Sequence, residues 1–457
     1  MIRFPLIFVI VIITSCSLDN KTGIWQDISD LPAEKKNTKL IEDRNGESRY
    51  EDIIFKNNPY NQEKESLITT NAKSDISVKI LNWHEEYALP TNNVSNFSYD
   101  ENKILLSKSP KLSKFFTSEK NSNKNIIFHN NKLISYDHKG RIFIYDLELK
   151  KKIFEFNFYK KKFKKIQKKI RLIVNNDTLY AADNLGYLYA LNLKSKSIVW
   201  AKNYGIPFRS NLKFSGNQIF LANQDNTIYS INKKNGEKNW QFATSTTYIK
   251  SDFRNNFVLD KINNSLFFLN TSGELYSINY LKQKVNWVLN FKSRSLTEDT
   301  NLFLSQPLII KNNNLIISTN KAVLSYDSIT SRRNWIFHVQ TIIKPIITSN
   351  YIYLVTKQDL LICLNNSTGK VLWSKNIYSL VQDRKVIKKI GNLYDFKIVN
   401  NKINIYSKNG YLLSFNFKNG DLSYLDKISK NGFSSAIFFL NNHMLFINNK
   451  YKLIKYN

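Results

Sequence analysis

The sequence predicts an all-β fold, an eight-bladed β-propeller of four-stranded antiparallel blades. Phe, Tyr and Trp make up 14% of the 457 residues, which favours strands because flat rings pack well on a pleated surface. A strand motif recurs eight times, and most copies lead to an aromatic residue at a fixed distance. We expect the propeller to occupy residues 76–457, with N- and C-terminal strands sharing the last blade and closing the ring.

The motif is clearest at residues 186–192, where Leu188 and Ala190 alternate with Tyr189 and Leu191. This two-residue period predicts a strand that is buried on both faces. The copies start at residues 140, 186, 226, 273, 321, 359, 410 and 451. After each complete copy, a hairpin signal leads to a second strand with an aromatic anchor that is expected to pack between neighbouring blades. These predicted anchors are Phe154, Trp200, Trp240, Trp287, Trp335, Trp373 and Tyr424.

The eighth copy, at residues 451–457, contains the first strand of the motif but not the anchor strand. Residues 77–83 form a strand-like segment that ends in Trp83 and has no motif of its own upstream. Placing this segment beside residues 451–457 completes the eighth blade and removes open sheet edges, which otherwise promote aggregation. We therefore predict that Trp83 is the anchor of the eighth blade.

Residues 1–15 are predicted to be a signal peptide, because Arg3 precedes an apolar stretch that is too short to span a bilayer. Residues 13–16, Ile-Thr-Ser-Cys, resemble a bacterial lipobox, which implies lipidation of Cys16, for example by palmitate. An ordinary signal peptide with an incidental cysteine is the alternative. Ser17 resembles the second residue of outer-membrane lipoproteins, so we expect the propeller to face the periplasm. Residues 16–75 are polar and are predicted to be a lipidated, largely disordered linker.

The sequence contains few signals of catalysis. Its five histidines lack metal-ligand spacing, Cys16 and Cys363 are too few for a disulfide framework, and no phosphate loop or dinucleotide-binding motif is present. We predict a non-enzymatic protein without catalytic, cofactor-binding or metal-binding residues. The net charge of +31 has two interpretations, compositional drift or a field that attracts an anionic partner. Nucleic acid is not an expected partner, because the export signal directs the protein out of the cytoplasm.

The motif of residues 186–192 and the Gly-x-x-x-Trp of residues 369–373 resemble the quinoprotein-type propeller repeat. Two groups of proteins share that repeat, the outer-membrane protein assembly factor BamB family and the quinone-dependent dehydrogenases. The length, the eight blades, the lipoprotein signal and the mature start at residues 16–25 make this chain similar to the BamB family. That resemblance implies a scaffold that binds the periplasmic domains of the central BamA subunit and assists the insertion of unfolded outer-membrane proteins.

The main alternative is a dehydrogenase-like propeller that uses pyrroloquinoline quinone (PQQ). Resemblance to those enzymes implies a calcium site of Glu, Asn and Asp, a catalytic Asp and often a disulfide between adjacent cysteines. No two cysteines are adjacent in this sequence, so the scaffold interpretation is favoured. A propeller lipoprotein that binds another envelope component is a third interpretation.

Overall fold

The computed structural model describes residues 16–18, 25–27, 62–68, 74–113, 125–159, 163, 165–247, 256–291, 303–379, 381 and 384–457. The chain divides into two compact units, Met1–Asn61 and Gln62–Asn457. In the first unit, β1 (Cys16–Leu18) pairs antiparallel with β2 (Trp25–Asp27). The other described strands and one helix, α1 (Arg384–Ile390), lie in the second unit. No helix among the described residues is long and apolar enough to cross a membrane.

Eight four-stranded antiparallel sheets make up the second unit, and they confirm the predicted eight-bladed propeller. The strand β3 (Leu105–Lys111) comes first in the chain and belongs to the last blade. Blade 1 contains β4 (Ile127–His129), β5 (Lys132–Tyr136), β6 (Arg141–Asp146) and β7 (Lys151–Asn157). Blade 2 contains β8 (Ile170–Asn175), β9 (Thr178–Asp183), β10 (Tyr187–Asn192) and β11 (Ser197–Asn203). Blade 3 contains β12 (Lys213–Ser215), β13 (Gln218–Ala222), β14 (Thr227–Asn232) and β15 (Lys238–Ala243).

The remaining blades repeat this arrangement. Blade 4 contains β16 (Asn256–Asp260), β17 (Ser265–Leu269), β18 (Glu274–Asn279) and β19 (Lys284–Asn290). Blade 5 contains β20 (Ile309–Lys311), β21 (Asn314–Ser318), β22 (Val323–Asp327) and β23 (Arg333–Phe337). Blade 6 contains β24 (Ile346–Ile347), β25 (Tyr351–Val355), β26 (Leu360–Asn365) and β27 (Val371–Asn376). Blade 7 contains β28 (Leu393–Val399), β29 (Lys402–Ser407), β30 (Tyr411–Asn416) and β31 (Leu422–Lys427). Blade 8 contains β32 (Phe438–Leu440), β33 (His443–Ile447), β34 (Lys452–Tyr456) and β3.

The first strand of each blade lies innermost, because first strands of neighbouring blades contact one another, as β12 does with β16 and β16 with β20. The repeated motif forms the third strand, and the predicted aromatic anchors lie on the fourth, outer strand. In several blades, asparagine pairs such as Asn312 and Asn313 take the left-handed conformation in the turn between the first two strands (φ 47° and 61°), where no glycine is present. Asparagine tolerates this region of φ better than other residues with a side chain.

The two ends of the chain close the ring, as predicted, but the closing strand was wrongly predicted. The outer strand of blade 8 is β3, which pairs antiparallel with β34, and not residues 77–83. Trp83 instead pairs with Phe128 at the inner strand of blade 1 through two backbone hydrogen bonds, with nitrogen-to-oxygen distances of 2.8 and 2.9 Å. Trp83 is 3% exposed, and its indole ring stacks on Phe97. Because this large apolar side chain is buried near the central channel, the segment does not lie on the outer edge of a blade.

The other seven anchors lie on outer strands, each opposite one residue of the neighbouring third strand and beside a β-bulge. Residues directly opposite each other in an antiparallel pair share a face of the sheet, so a small partner leaves room for an indole ring. Trp200, for example, lies opposite Ala190. The other four Trp anchors and Tyr424 lie opposite Ser230, Ser277, Ser325, Cys363 and Ser414, and Phe154 lies opposite Ile144.

Candidate functional site

One mouth of the central channel is covered by residues 75–101, which we call the plug. Hydrogen bonds join the plug to the innermost strand, or the turn beside it, of every blade. In order around the ring, the bonded pairs are Trp83 with Phe128, His84 with Val174, Asn92 with Lys213, Pro90 with Leu259, Thr91 with Ile310, Asn93 with Ile347, Phe97 with Ile398 and Ile80 with Asn441. The plug therefore closes this mouth and ties all eight blades together.

A buried ion pair fastens the plug to blade 3. Lys213, at the start of β12, is fully buried, and its ammonium contacts the carboxylate of Glu85. It also donates a hydrogen bond to Oδ1 of Asn92 at 2.6 Å. Burial lowers the pKa of Lys213, although the Glu85 carboxylate opposes that effect. Such a pair is stable only when its charges are matched and its hydrogen bonds are made, and both conditions hold here.

Asparagine side chains of the plug satisfy backbone groups at the ends of the inner strands. The amide of Asn92 donates to the carbonyl oxygens of Phe257 and Leu308 at 2.7 and 2.9 Å. Asn93 donates to the carbonyl oxygen of Ile347 at 2.9 Å and accepts a hydrogen bond from its N–H at 3.1 Å. Because unpaired buried backbone groups cost free energy, these amides stabilise the plug in one position.

On the inner side of the plug lies a cavity of about 170 Å³ within the channel. Its lining includes Glu86 and Tyr87 of the plug, Lys344 ahead of β24, and Asp395 and Lys397 of β28. Lys397 forms an ion pair with Asp395, which also accepts hydrogen bonds from backbone N–H groups of blades 7 and 8. The cavity thus contains two lysines and two carboxylates, and the Asp395 carboxylate is paired with Lys397.

Burial and the neighbouring Lys397 ammonium lower the pKa of Lys344 to about 7, while Asp395 opposes the shift. The Lys344 ammonium lies 5.9 Å from the centre of the Tyr87 ring. Calcium prefers six to eight oxygen ligands, so a cavity with two lysines does not fit a calcium site. Within the described part of the chain, no group of three or more His, Cys, Asp or Glu residues could hold a metal ion.

Two histidines meet where the plug crosses blade 1. Nε2 of His84 lies 2.8 Å from Nδ1 of His129, and Nε2 of His129 lies 3.6 Å from the Asp177 carboxylate. Burial and the nearby His129 lower the pKa of His84 to about 4. Burial also lowers the pKa of His129, against the effect of Asp177. The pair is therefore neutral at pH 7, when one ring nitrogen donates to the other.

The structure gives the Trp anchors a structural role between blades. Nε1–H of Trp200 donates to the carbonyl oxygen of Lys233 in the next blade at 2.9 Å, and its ring covers Gly236. Trp335 makes the same contacts with Asn366 and Gly369. Cys16, the predicted lipidation site, is the first residue of β1, and its lipidation remains a prediction.

The plug and the cavity behind it were not predicted from the sequence. The one available signal was a lysine, Lys213, at the start of a segment that is otherwise equivalent to an apolar inner strand. Lysine is almost never fully buried unless it is paired, so its position indicated a partner elsewhere in the chain. Nothing in the sequence near Glu85 identified that partner.

A closed eight-bladed propeller with a plugged channel is the class of protein that these features define. A family model described as outer membrane protein assembly factor BamB matches residues 128–375, more than half of the chain. The chain belongs to this family. No curated protein matches it in sequence.

Solved structures with the same fold include both groups that share the repeat. BamB from Moraxella catarrhalis is 12% identical with a TM-score of 0.59, and the match covers 78% of this chain and 99% of that one. A quinohemoprotein alcohol dehydrogenase from Pseudomonas putida is 8% identical with a TM-score of 0.55, and the match covers 82% and 80%. A europium-containing methanol dehydrogenase is 9% identical with a TM-score of 0.55, and the match covers 80% and 89%. At these identities the likeness shows the fold alone.

Proposed function

We propose that the protein is a lipid-anchored, non-catalytic scaffold of the machinery that assembles outer-membrane β-barrel proteins. Its partners are the periplasmic domains of a BamA-like subunit and unfolded outer-membrane proteins. The observation that carries this proposal is the match of residues 128–375 to the BamB family. Residues 1–15 act as the signal peptide and Cys16 carries the lipid. Residues 16–75 form the linker, of which residues 62–68 lie against blade 6, and the propeller faces the periplasm from the outer membrane.

The plug supports a scaffold, because it fills the mouth of the channel with the protein's own side chains. Binding to large partners then takes place on the blade loops and the outer strands. Exposed strands can add a segment of a partner by backbone hydrogen bonding, with specificity from alternate side chains. A lipid anchor raises the local concentration of the scaffold at the membrane, where its partners are.

A quinone-dependent dehydrogenase is the competing function, and the dehydrogenase structures show that the fold permits it. The cavity residues argue against it. The Lys397 ammonium repels a calcium ion, and the Asp395 carboxylate is already paired with Lys397.

The proposed function is tested by crosslinking intact membranes and purifying the tagged protein. We expect a BamA-like subunit to be recovered with it, and no reduction of dye when PQQ and calcium are added to the pure protein. Absence of that subunit from the crosslinked material contradicts the scaffold role. Dye reduction that depends on added PQQ supports the dehydrogenase instead.

Lipid anchoring has a separate test, since it depends on one residue. Cys16→Ala is expected to move the protein from the membrane fraction to the soluble periplasmic fraction, because acyl chains contribute about 0.8 kcal/mol for each buried methylene. Cys363→Ala is the matched control, because Cys363 is buried in β26 and is expected to leave membrane binding unchanged. Full membrane retention of the Cys16 variant contradicts the anchor.

A further inference from the structure

The outer edge of blade 6 is paired with a segment of the protein's own chain, residues 62–68, which we call the strap. Lys64 lies antiparallel to Ser374 of β27. The N–H of Lys64 donates to the Ser374 carbonyl oxygen at 2.8 Å, and the reverse hydrogen bond is 3.0 Å. The N–H of Leu67 donates to the Leu372 carbonyl oxygen at 3.0 Å. The strap thus acts as a short fifth strand.

Side chains place the strap in register along this edge. The Glu65 carboxylate contacts the Lys375 ammonium at 2.7 Å, and Glu63 accepts a hydrogen bond from the N–H of Asn376 at 2.7 Å. Ile68 packs against the apolar core shared by blades 6 and 7. The edge therefore accepts an extended chain with a carboxylate facing Lys375 and an apolar residue three positions later.

Among the eight outer strands, β27 is the one in which no residue is exposed. The strap itself remains largely open to solvent, and Leu67 is 63% exposed. Three backbone hydrogen bonds, three hydrogen bonds that involve the side chains of Glu63, Lys64 and Ser66, and one surface ion pair hold the strap. Because each hydrogen bond contributes only about 1 kcal/mol net and the surface ion pair less, the ordering of the strap offsets much of this stabilisation. A competing strand can therefore displace it.

We propose that the outer edge of blade 6 is a docking site for an extended polypeptide strand, and that the strap covers this site until such a strand displaces it. The partner is an unfolded chain of alternating apolar and polar residues that pairs antiparallel with β27, as the strap does. The identity of this chain as an unfolded outer-membrane protein rests on the proposed function. Coverage by the strap also prevents edge-to-edge aggregation while no client is present.

The test uses the full chain and a labelled strand peptide of alternating valine and threonine with one glutamate. Lys64→Pro removes the N–H that bonds to Ser374, whereas Gln62→Pro changes the strap before its first paired residue. We expect Lys64→Pro to bind the peptide about tenfold more tightly than the unmodified protein. The reason is that the strap then leaves the edge of blade 6 uncovered in a larger fraction of the molecules. Gln62→Pro is expected to bind as the unmodified protein does.

A second peptide of the same sequence, with N-methyl groups on alternate amides, is the control for strand pairing. Its methylated amides cannot donate hydrogen bonds to β27. The proposal is overturned if the two proline variants bind the peptide with equal affinity, or if the methylated peptide binds as tightly as the unmethylated one. Thermal unfolding of both variants verifies that the propeller is intact.

A covalent lock gives an independent measurement. Lys64 and Ser374 form a hydrogen-bonded antiparallel pair, whose Cα atoms are about 5.5 Å apart, within the range for a disulfide. Lys64→Cys with Ser374→Cys is expected to abolish peptide binding until the disulfide is reduced, while Ser374→Cys alone binds normally. Binding of the peptide by the double-cysteine variant in its disulfide form contradicts the proposal. If crosslinking recovers no BamA-like subunit, the proposed function fails, and the peptide measurements still decide whether the edge is a docking site.

Discussion

The ammonium of Lys213 and the carboxylate of Glu85 form an ion pair between blade 3 and the plug, and their side chains are only 0% and 8% exposed. Lys213 belongs to an inner strand, whereas Glu85 lies 128 residues earlier in the chain. Both charges are largely removed from solvent, so each depends on the other. The position of the plug and the charge state of the channel wall are therefore coupled.

We predict that Lys213→Met lowers the free energy of unfolding by about 3–5 kcal/mol, because it leaves the Glu85 carboxylate buried without its partner. The measurement is denaturant unfolding at pH 7. Lys311→Met is the graded control: Lys311 pairs with Asp75 of the plug, but that pair is partly exposed. Lys311→Met is expected to lower the free energy of unfolding by less than half as much as Lys213→Met does.

The double variant Lys213→Met with Glu85→Leu separates charge from packing. Replacing both partners by apolar residues removes the unpaired charge, so the double variant is expected to be more stable than Lys213→Met alone. If it is less stable than the single variant, the ion pair is not the source of the effect.

The sequence was sufficient for the propeller because the repeat is a local pattern. The alternation in residues such as Leu188 and Tyr189, with the anchor Trp200 at a fixed distance, reflects hydrogen bonding within one blade. The same hairpin geometry recurs in every blade, so the period is visible without knowledge of contacts between blades.

The plug has no such period, because its successive residues contact different blades. His84 bonds to blade 2, Pro90 to blade 4 and Asn93 to blade 6, so no two-residue alternation arises. Trp83 misled the prediction because it resembles an anchor in type and in the apolar residues before it. The true closing strand, β3, contains Pro110 and ends without an aromatic residue. Proline is tolerated there because an outer strand needs no hydrogen bonds on its free side.

The packing of an anchor against the next blade is tested at two glycines. Gly236 and Gly216 both have positive φ, 70° and 55°, but a Cβ atom at Gly236 would lie 2.5 Å from the Trp200 ring, and one at Gly216 would meet no atom within 4 Å. Gly216→Ala is expected to lower the free energy of unfolding by about 1 kcal/mol through backbone strain alone. Gly236→Ala is expected to cost about 1–3 kcal/mol more, because the ring must move.

Both alanine variants are to be repeated with Trp200→Ala as well. Removal of the ring is expected to bring the effect of Gly236→Ala close to that of Gly216→Ala. A difference that persists without the ring refutes the packing explanation.

The histidine pair predicts a loss of stability in acid. The pKa of His84 is lowered to about 4, below the ordinary value of 6.5 that applies to the unfolded chain. Between these values the unfolded chain binds more protons, so stability falls as the pH drops from about 6.5 to about 4. Because His84 is partly exposed and Asp177 lies beside His129, we expect a loss of about 1–2 kcal/mol.

Denaturant unfolding at pH 7 and pH 5 measures this effect. His84→Gln is expected to flatten the pH dependence, because a neutral amide replaces the titrating ring. His138→Gln is the control, since His138 lies outside the pair. An unchanged pH dependence in the His84 variant assigns the acid sensitivity to other groups.

The cavity behind the plug predicts an unusually reactive amine. Burial and Lys397 lower the pKa of Lys344 to about 7, so much of this amine is unprotonated at pH 7.5, whereas the Glu65 carboxylate raises the pKa of Lys375. With limiting acetic anhydride, we expect Lys344 to be acetylated at least about tenfold faster than Lys375, as measured by peptide mass spectrometry. Lys397→Met removes a positive charge and frees the Asp395 carboxylate, so both changes raise the pKa of Lys344 and move its labelling to higher pH. Labelling of Lys344 at the rate of exposed lysines, with no response to Lys397→Met, would show that its amine is protonated at neutral pH.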